Sequence, residues 1–273
     1  EKAAAEKIAI NSAPAPPPST AKPSFKPEWS QISGKLKQVS VDGDTVCGVN
    51  AHDHIYCKDS LSDGSWRKLP GGLKYVSVSG GKLYGVNRND DIYYSPNTQG
   101  QWTRIPGKLK QVDLDGDTVC GVNSADNIFC KDSLTGGSWR KLPGGLKHVS
   151  VSGGKLYGVN RNDDIYYSPN TQGQWTRIPG KLKQVDLDGD TVCGVNSADN
   201  IYCKDSLTGR DWTRLSGGLK HISVSGGVLY GVNSKDDIYS DEKAVSVNVA
   251  INSAQPASPP APTPTMAEGL FMF

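Results

Sequence analysis

Six tryptophans recur along the chain at intervals of 36 or 37 residues: Trp29, Trp66, Trp102, Trp139, Trp175 and Trp212. A period of about 40 residues, built from short strand-like runs and glycine-rich turns, is typical of a β-propeller with one blade in each period. The repeats occupy residues 28–241 of the 273. We therefore predict an all-β fold, a six-bladed β-propeller, in which a surface made by one blade recurs around a ring.

Each repeat contains four β-rich runs separated by short turns, which predicts a four-stranded blade with the tryptophan run outermost. The last repeat starts at Leu219 and ends after DDIYS, without a tryptophan run. The missing run stands at the other end of the chain, at residues 28–34. We predict that this N-terminal strand completes the sixth blade by pairing with the segment around residues 237–240. Closure of the ring would remove the exposed sheet edges.

The six cysteines form three equally spaced pairs, and one pair falls in every second repeat. Each pair brackets a V-N-x-x-D-x-I hairpin, and facing residues in such a hairpin lie within disulfide range. This predicts the disulfides Cys47–Cys57, Cys120–Cys130 and Cys193–Cys203. Zinc binding is the alternative, but the chain has only four histidines and no C-x-x-C spacing. Three disulfides would indicate a secreted, extracellular protein.

Alternate repeats differ at the cysteine positions, where the even repeats have the pairs Tyr84/Tyr94, Tyr157/Tyr167 and Tyr230/Ser240. A cross-strand aromatic pair is a reasonable noncovalent substitute for a disulfide. The true repeat is therefore a two-blade unit, and the sequence of 109–181 is nearly a copy of 36–108. We predict pseudo-threefold symmetry within the sixfold ring.

Composition and motifs argue against several classes of function. The net charge of +2 gives no field of the kind expected for a nucleic-acid partner. No apolar run approaches the roughly 18 residues of a membrane span. The chain lacks a G-x-S-x-G elbow, a P-loop and an H-E-x-x-H motif, so no enzyme is predicted. The D-x-D-G-D run at 113–117 lacks the 12-residue calcium-loop frame, so it is interpreted as a turn. No cofactor is predicted, and calcium binding has no support.

The flanking segments, residues 1–27 and 242–273, are rich in alanine and proline, unlike the ring. They share the runs EKAAAEKIAINSA and EKAVSVNVAINSA, each followed by a proline tract of polyproline-II type. Two interpretations remain open. The segments are solvated linkers, or their IAINSA and VAINSA runs are strands that dock on neighbouring molecules.

The repeat pattern resembles the tectonin family, and fish egg lectins most closely. The V-N-x-x-D-x-I-Y hairpin and the W-x-x-[IL]-[PS]-G strand are the specific markers, and the resemblance covers residues 28–241. It implies a secreted propeller lectin that binds N-acetylglucosamine, related sugars or bacterial lipopolysaccharide. An alternative function is a structural subunit that assembles into a filament or coat when its tails dock on neighbouring propellers.

Two sets of repeated residues are candidate ligand contacts, because their loops are expected on one face of the ring. Their amide, carboxylate and ammonium groups could bind sugar hydroxyls. The candidates are Asn50, Asp53, Asn87, Asp90, Asn123, Asp126, Asn160, Asp163, Asn196, Asp199, Asn233 and Asp236 in the hairpin loops, and Lys37, Lys74, Lys110, Lys147, Lys183 and Lys220 in the links between blades.

Structural explanations compete with ligand binding at these positions. Asn and Asp favour hairpin loops because they tolerate left-handed geometry, lysines are commonly solvated, and the tryptophans are expected to pack between blades. Lys35, Lys108 and Lys181 add a cation in alternate links only, and this threefold set would suit glycans that bear phosphate.

Overall fold

The computed structural model describes residues 27–61 and 64–241, and these form a ring of six four-stranded antiparallel sheets. The predicted six-bladed propeller is therefore confirmed. Within the described ranges no helix is long and apolar enough to cross a membrane. The predictions for the two tails fall on residues outside these ranges, apart from residue 27.

Each blade is built from four kinds of strand. The innermost strands are β2 (Gln38–Asp42), β6 (Tyr75–Ser79), β10 (Gln111–Asp115), β14 (His148–Ser152), β18 (Gln184–Asp188) and β22 (His221–Ser225). The second strands are β3 (Thr45–Val49), β7 (Lys82–Val86), β11 (Thr118–Val122), β15 (Lys155–Val159), β19 (Thr191–Val195) and β23 (Val228–Val232). The third strands are β4 (Ile55–Lys58), β8 (Asp91–Ser95), β12 (Ile128–Lys131), β16 (Asp164–Ser168), β20 (Ile201–Lys204) and β24 (Asp237–Asp241). The outermost strands are β1 (Ser30–Lys35), β5 (Arg67–Leu69), β9 (Thr103–Lys108), β13 (Arg140–Leu142), β17 (Thr176–Lys181) and β21 (Thr213–Leu215).

The N-terminal strand closes the ring as predicted. Blades 1 to 5 run in chain order from β2–β5 to β18–β21, whereas blade 6 has the order β1-β24-β23-β22. Ser30 pairs with Ser240 and Lys35 with Asp237, with a bulge between Ile32 and Lys35. The strand begins just after Trp29, and each of the other tryptophans likewise immediately precedes its outer strand.

The hydrophobic core lies between successive blades. One cluster joins Cys47, Cys57 and Leu69 of blade 1 to Leu73 and Val76 of blade 2, and equivalent clusters fill the other interfaces. This arrangement explains why the alternating Val, Leu and Ile residues are buried on both faces of each sheet.

The three predicted disulfides are present, so the zinc alternative is rejected. The cysteines face each other across the second and third strands, with 4.1 Å between the Cα atoms of each pair. In the even blades Tyr84 faces Tyr94 and Tyr157 faces Tyr167, with 5.5 Å between the ring centroids of each pair. Each inner tyrosine hydroxyl also donates to a backbone carbonyl of the next blade, such as Tyr230 to Leu61 at 3.0 Å. Disulfides and tyrosines therefore alternate at the blade interfaces.

The inner strands surround a narrow polar channel with a cavity of about 50 Å³. At one end the Tyr75 hydroxyl lies 3.0 Å from His148 Nε2 and 3.3 Å from His221 Nε2. Further along, Asp113 and Asp186 lie half-buried in the channel wall. Blade 1 has Ser40 at the equivalent position, so two carboxyl groups rather than three meet there.

The contacts of Ser150 favour a proton shared by these two carboxyl groups. Ser150 Oγ lies 2.9 Å from Asp113 Oδ2 and 3.2 Å from Asp186 Oδ1, yet it already accepts the Leu187 N–H and has one proton to donate. A proton on one of the two carboxyl groups would complete the second contact. Burial raises the pKa of Asp113 to about 6 and, together with the charge of Asp113, raises that of Asp186 well above its usual range. Burial also lowers the pKa of His148 to about 3 and that of His221 well below its usual range.

These opposite shifts predict an unusual dependence of stability on pH. A raised Asp pKa makes the free energy of unfolding fall as pH rises, whereas a lowered His pKa makes it rise. Between about pH 4 and 6 the histidines hold protons in the unfolded chain, and the channel aspartates hold protons in the folded protein. The two contributions to the pH dependence of the free energy of unfolding therefore cancel in this range. Above this window only the Asp contribution remains, so we expect the free energy of unfolding to fall as the pH rises from 6 to 8.

Urea unfolding at successive pH values measures this profile. In Asp186→Asn the loss of stability from pH 6 to 8 should largely disappear, because the uncharged amide replaces the channel carboxyl group that would hold the proton. Parallel profiles for the wild type and the variant would contradict the shared proton.

Candidate functional site

The V-N-x-x-D loops are held by their own side chains. In blade 1, Asn50 Oδ1 accepts the backbone N–H groups of His52 and His54 at 3.0 and 2.9 Å. Asp53 has a left-handed backbone, with φ of 65°, and its carbonyl accepts the N–H of Leu73 in the next blade at 2.9 Å. The same arrangement recurs in all six blades. Turn geometry and blade-to-blade bonding therefore account for the Asn and Asp of each loop.

The six candidate lysines of the links are paired with the loop aspartates. Lys37 Nζ donates to Asp53, and each equivalent lysine donates to the loop aspartate of its own blade. Arg88 adds a second cation at Asp53. Burial alone would raise the pKa of Asp53, but Lys37 and Arg88 outweigh it and lower that pKa. The structure thus brings these candidates together as ion pairs, and their contact with a ligand stays a prediction.

Grooves between neighbouring blades open beside the loop asparagines. The Trp66 groove, between blades 6 and 1, has a volume of about 270 Å³ and is lined by Lys35, Asn50, Tyr56, Trp66 and Ile238. The Trp212 groove, between blades 4 and 5, measures about 310 Å³. The Trp29 groove, between blades 5 and 6, measures about 220 Å³. Each contains one Trp, one Tyr, one Asn and one Ile.

The tryptophan in each groove is fixed by one hydrogen bond. Trp66 Nε1 donates to the carbonyl of Ser33 at 2.8 Å, Trp212 Nε1 to that of Pro179 at 2.9 Å and Trp29 Nε1 to that of Ser216 at 2.8 Å. The acceptor belongs to the preceding blade, so the indole spans the interface and packs on its core cluster. The prediction that the tryptophans pack between blades is confirmed. Because the indole N–H is occupied, only the ring surface is left to meet a ligand.

A glycine keeps the groove open beside each indole. A Cβ on Gly180 would lie 3.2 Å from both Trp212 Nε1 and Ile165 Cδ1. A Cβ on Gly34 would likewise lie 3.2 Å from Trp66 Nε1. The backbone at Gly180 also has a φ of 123°, which favours glycine.

The grooves have the composition of small-molecule sites: mostly aromatic and aliphatic, with one or two polar groups. An indole and a phenol in a shallow groove of this size suit a single sugar ring, whose C–H face stacks on aromatic surfaces while its hydroxyls meet the amide. Among the described residues no three His, Cys, Asp or Glu side chains are grouped so that they could hold a metal ion.

Sequence reasoning identified the asparagines and missed the tyrosines and link glycines that complete the grooves. The aromatic residue of the D-x-I-Y/F run is the signal that was available: Tyr56, Tyr93, Phe129, Tyr166, Tyr202 and Tyr239.

The ring, its closure and the repeated grooves define a six-bladed β-propeller built from tandem two-blade units. A profile of the Tectonin domain matches residues 20–133, 60–172 and 111–255, which together span most of the chain. The chain therefore belongs to the tectonin family. No curated protein sequence matches it.

Solved structures support the fold alone. The β-propeller domain of Cps50 (Swd1) from Myceliophteria thermophila is 11% identical, with a TM-score of 0.57, and the match covers 78% of this chain and 98% of that chain. Human WBSCR16 is 10% identical, with a TM-score of 0.52 and coverage of 76% and 71%. YCF48 from Cyanidioschyzon merolae is 12% identical, with a TM-score of 0.50 and coverage of 80% and 89%.

Proposed function

We propose that this protein is a secreted, multivalent, non-catalytic lectin that binds N-acetylglucosamine-type sugars or bacterial lipopolysaccharide. The observation that supports this most directly is the repeated groove in which an indole, a phenol and an asparagine amide converge. The resemblance of the repeats to fish egg lectins supports the same class of ligand. The three disulfides support secretion.

Repetition of the groove around the ring would give the lectin a high avidity for surfaces that carry many glycans. A shallow groove that holds one sugar ring binds weakly, but several grooves on one rigid ring raise the avidity for a glycan-coated surface by roughly 10²–10⁴. The tail-mediated assembly predicted as an alternative stays a prediction, because residues 1–26 and 242–273 lie outside the described ranges.

Retention on immobilised N-acetylglucosamine, with elution by the free sugar, tests the proposal. We expect retention of the wild type and a loss of about fivefold or more in affinity when Tyr56, Tyr202 and Tyr239 are replaced by alanine, because each stacking contact contributes about 1 kcal/mol. Binding to lipopolysaccharide-coated plates is measured in parallel.

The matched control replaces Lys82 and Lys155, which form ion pairs with Asp117 and Asp190 in the turns between first and second strands. Circular dichroism establishes that both variants remain folded. A wild type that neither resin nor plate retains at neutral pH would overturn the proposal.

A further inference from the structure

The six interfaces between blades fall into two alternating sets. Three have a Gly-Lys-Leu link and are called here the lysine grooves: the Trp66 and Trp212 grooves described above and the equivalent interface at Trp139. Three have a Gly-Gly-Leu link and are called the glycine grooves: the Trp29 groove described above and the equivalent interfaces at Trp102 and Trp175. The backbone also differs, since φ at the first link glycine is 118–123° in the lysine grooves and 86–90° in the glycine grooves.

A bulge in the preceding outer strand creates the lysine grooves. In blade 2 the register shifts so that Lys108 faces Asp91 while Ile105 faces Ile92. The same shift places Lys181 opposite Asp164 and Lys35 opposite Asp237. The bulge thus brings a lysine to the groove at the position where a glycine groove has only a glycine.

The asparagine amide is engaged differently in the two sets. In the glycine grooves it donates to the neighbouring aspartate, as Asn233 Nδ2 does to Asp237 Oδ2 at 3.1 Å. In the lysine grooves the residue four positions on is His54, Asn127 or Asn200. The Nδ2 groups of Asn50, Asn123 and Asn196 have no hydrogen-bond acceptor within residues 27–61 and 64–241.

Each lysine groove therefore presents hydrogen-bond donors. Lys181 Nζ donates to the Asn162 carbonyl and to Asp164, both at 2.8 Å, which leaves one ammonium N–H for a ligand. The Lys181 side chain is 56% exposed. The Asn196 Oδ1 and Trp212 Nε1 atoms of this groove already have backbone partners. An ammonium and a free amide together suit an oxyanion.

We infer that the three lysine grooves select sugars bearing an oxyanion, a phosphate or carboxylate group, whereas the glycine grooves take neutral sugars. This inference rests on the proposed lectin function and divides its sites into two specificities.

The three lysine grooves should also differ from one another in their affinity for the oxyanion. Arg104 and Lys108 both pair with Asp91, so a net positive charge remains, and Arg177 and Lys181 repeat this at Asp164. At Asp237, Gln31 occupies the arginine position beside Lys35, so the Trp66 groove should bind the oxyanion most weakly.

Isothermal titration of the full chain with N-acetylglucosamine and with N-acetylglucosamine 6-phosphate tests the inference. We expect about fivefold tighter binding of the phosphate sugar, with no more than three such sites per molecule and a smaller preference at high salt. Glucuronate against glucose is the second pair, and it establishes whether a carboxylate serves as well as a phosphate. A preference in either pair supports the inference.

Replacement of Lys35, Lys108 and Lys181 by glutamine should reduce the ratio of the two affinities to about one. The control variant Lys82→Gln with Lys155→Gln carries the same charge change per site at the starts of β7 and β15, and it should keep the wild-type ratio. Equal affinities for charged and neutral sugars in the wild type, or an unchanged ratio in the triple variant, would overturn the inference and leave the lectin proposal intact. Failure of every sugar to bind would overturn both.

Discussion

A chain that begins at Leu36 should lose the cooperative unfolding transition of the ring. Without residues 27–35, β24 has no outer neighbour, and the interface of blades 5 and 6 loses the Trp29 indole with its bond to Ser216. Truncation of one such aromatic residue costs about 3 kcal/mol, and the lost strand adds its ladder bonds and Ile32. The total is on the order of 5 kcal/mol or more, comparable with the whole stability of an ordinary domain.

A chain that begins at residue 27 is the matched control, because it differs only by the closing strand. Urea unfolding followed by tryptophan fluorescence compares the two, and a peptide of residues 27–35 added to the shorter chain should restore part of its stability. Equal unfolding midpoints for the two chains would show that the strand does not hold the ring together.

Gly121→Ala should destabilise the protein by about 3 kcal/mol, which lowers the melting temperature by roughly 10 °C. A Cβ at Gly121 would lie 2.5 Å from the Gln111 carbonyl oxygen and 2.8 Å from Leu109 Cδ1. Gly121 is in the middle of β11, and the obstructing oxygen belongs to the adjacent β10. Relief of the clash therefore requires these two strands to separate.

Gly136→Ala in the same blade is the control. The atom nearest to its Cβ would be Ser133 Oγ at 3.5 Å, an ordinary contact. This substitution should change the free energy of unfolding by no more than about 0.5 kcal/mol. Differential scanning calorimetry compares the variants, and similar melting temperatures would contradict the close packing of strand and leucine.

The fold could be predicted from the sequence because its signals are periodic. The tryptophan spacing gives the number of blades, the regular cysteine pairs give the hairpin register, and the absent outer run after Ser240 identifies the closing strand. Each signal depends on residues close in the chain or on their repetition. A ring of similar units then leaves one arrangement that pairs every strand.

The site was harder to predict from the sequence, because residues at the same repeat position have different hydrogen-bond partners. Asn50 and Asn233 occupy the same repeat position, yet only Asn233 donates its amide to an aspartate. The residue four positions on, His54 or Asp237, makes this difference, and it acts through side-chain geometry. The grooves also depend on bulges in the outer strands, which become visible only when the register of paired strands is known.

The pairing of Ser30 with Ser240 places the start of β1 beside the end of β24, so the chain enters and leaves the ring at one point. A mechanical force that draws residues 27 and 241 apart would load this strand pair from one end and break its hydrogen bonds one after another, as in the opening of a zipper. Peeling away β1 removes Trp29 from one groove and Lys35 from another. Tension on the two ends would therefore abolish two adjacent grooves of blade 6 before it disturbed the opposite side of the ring.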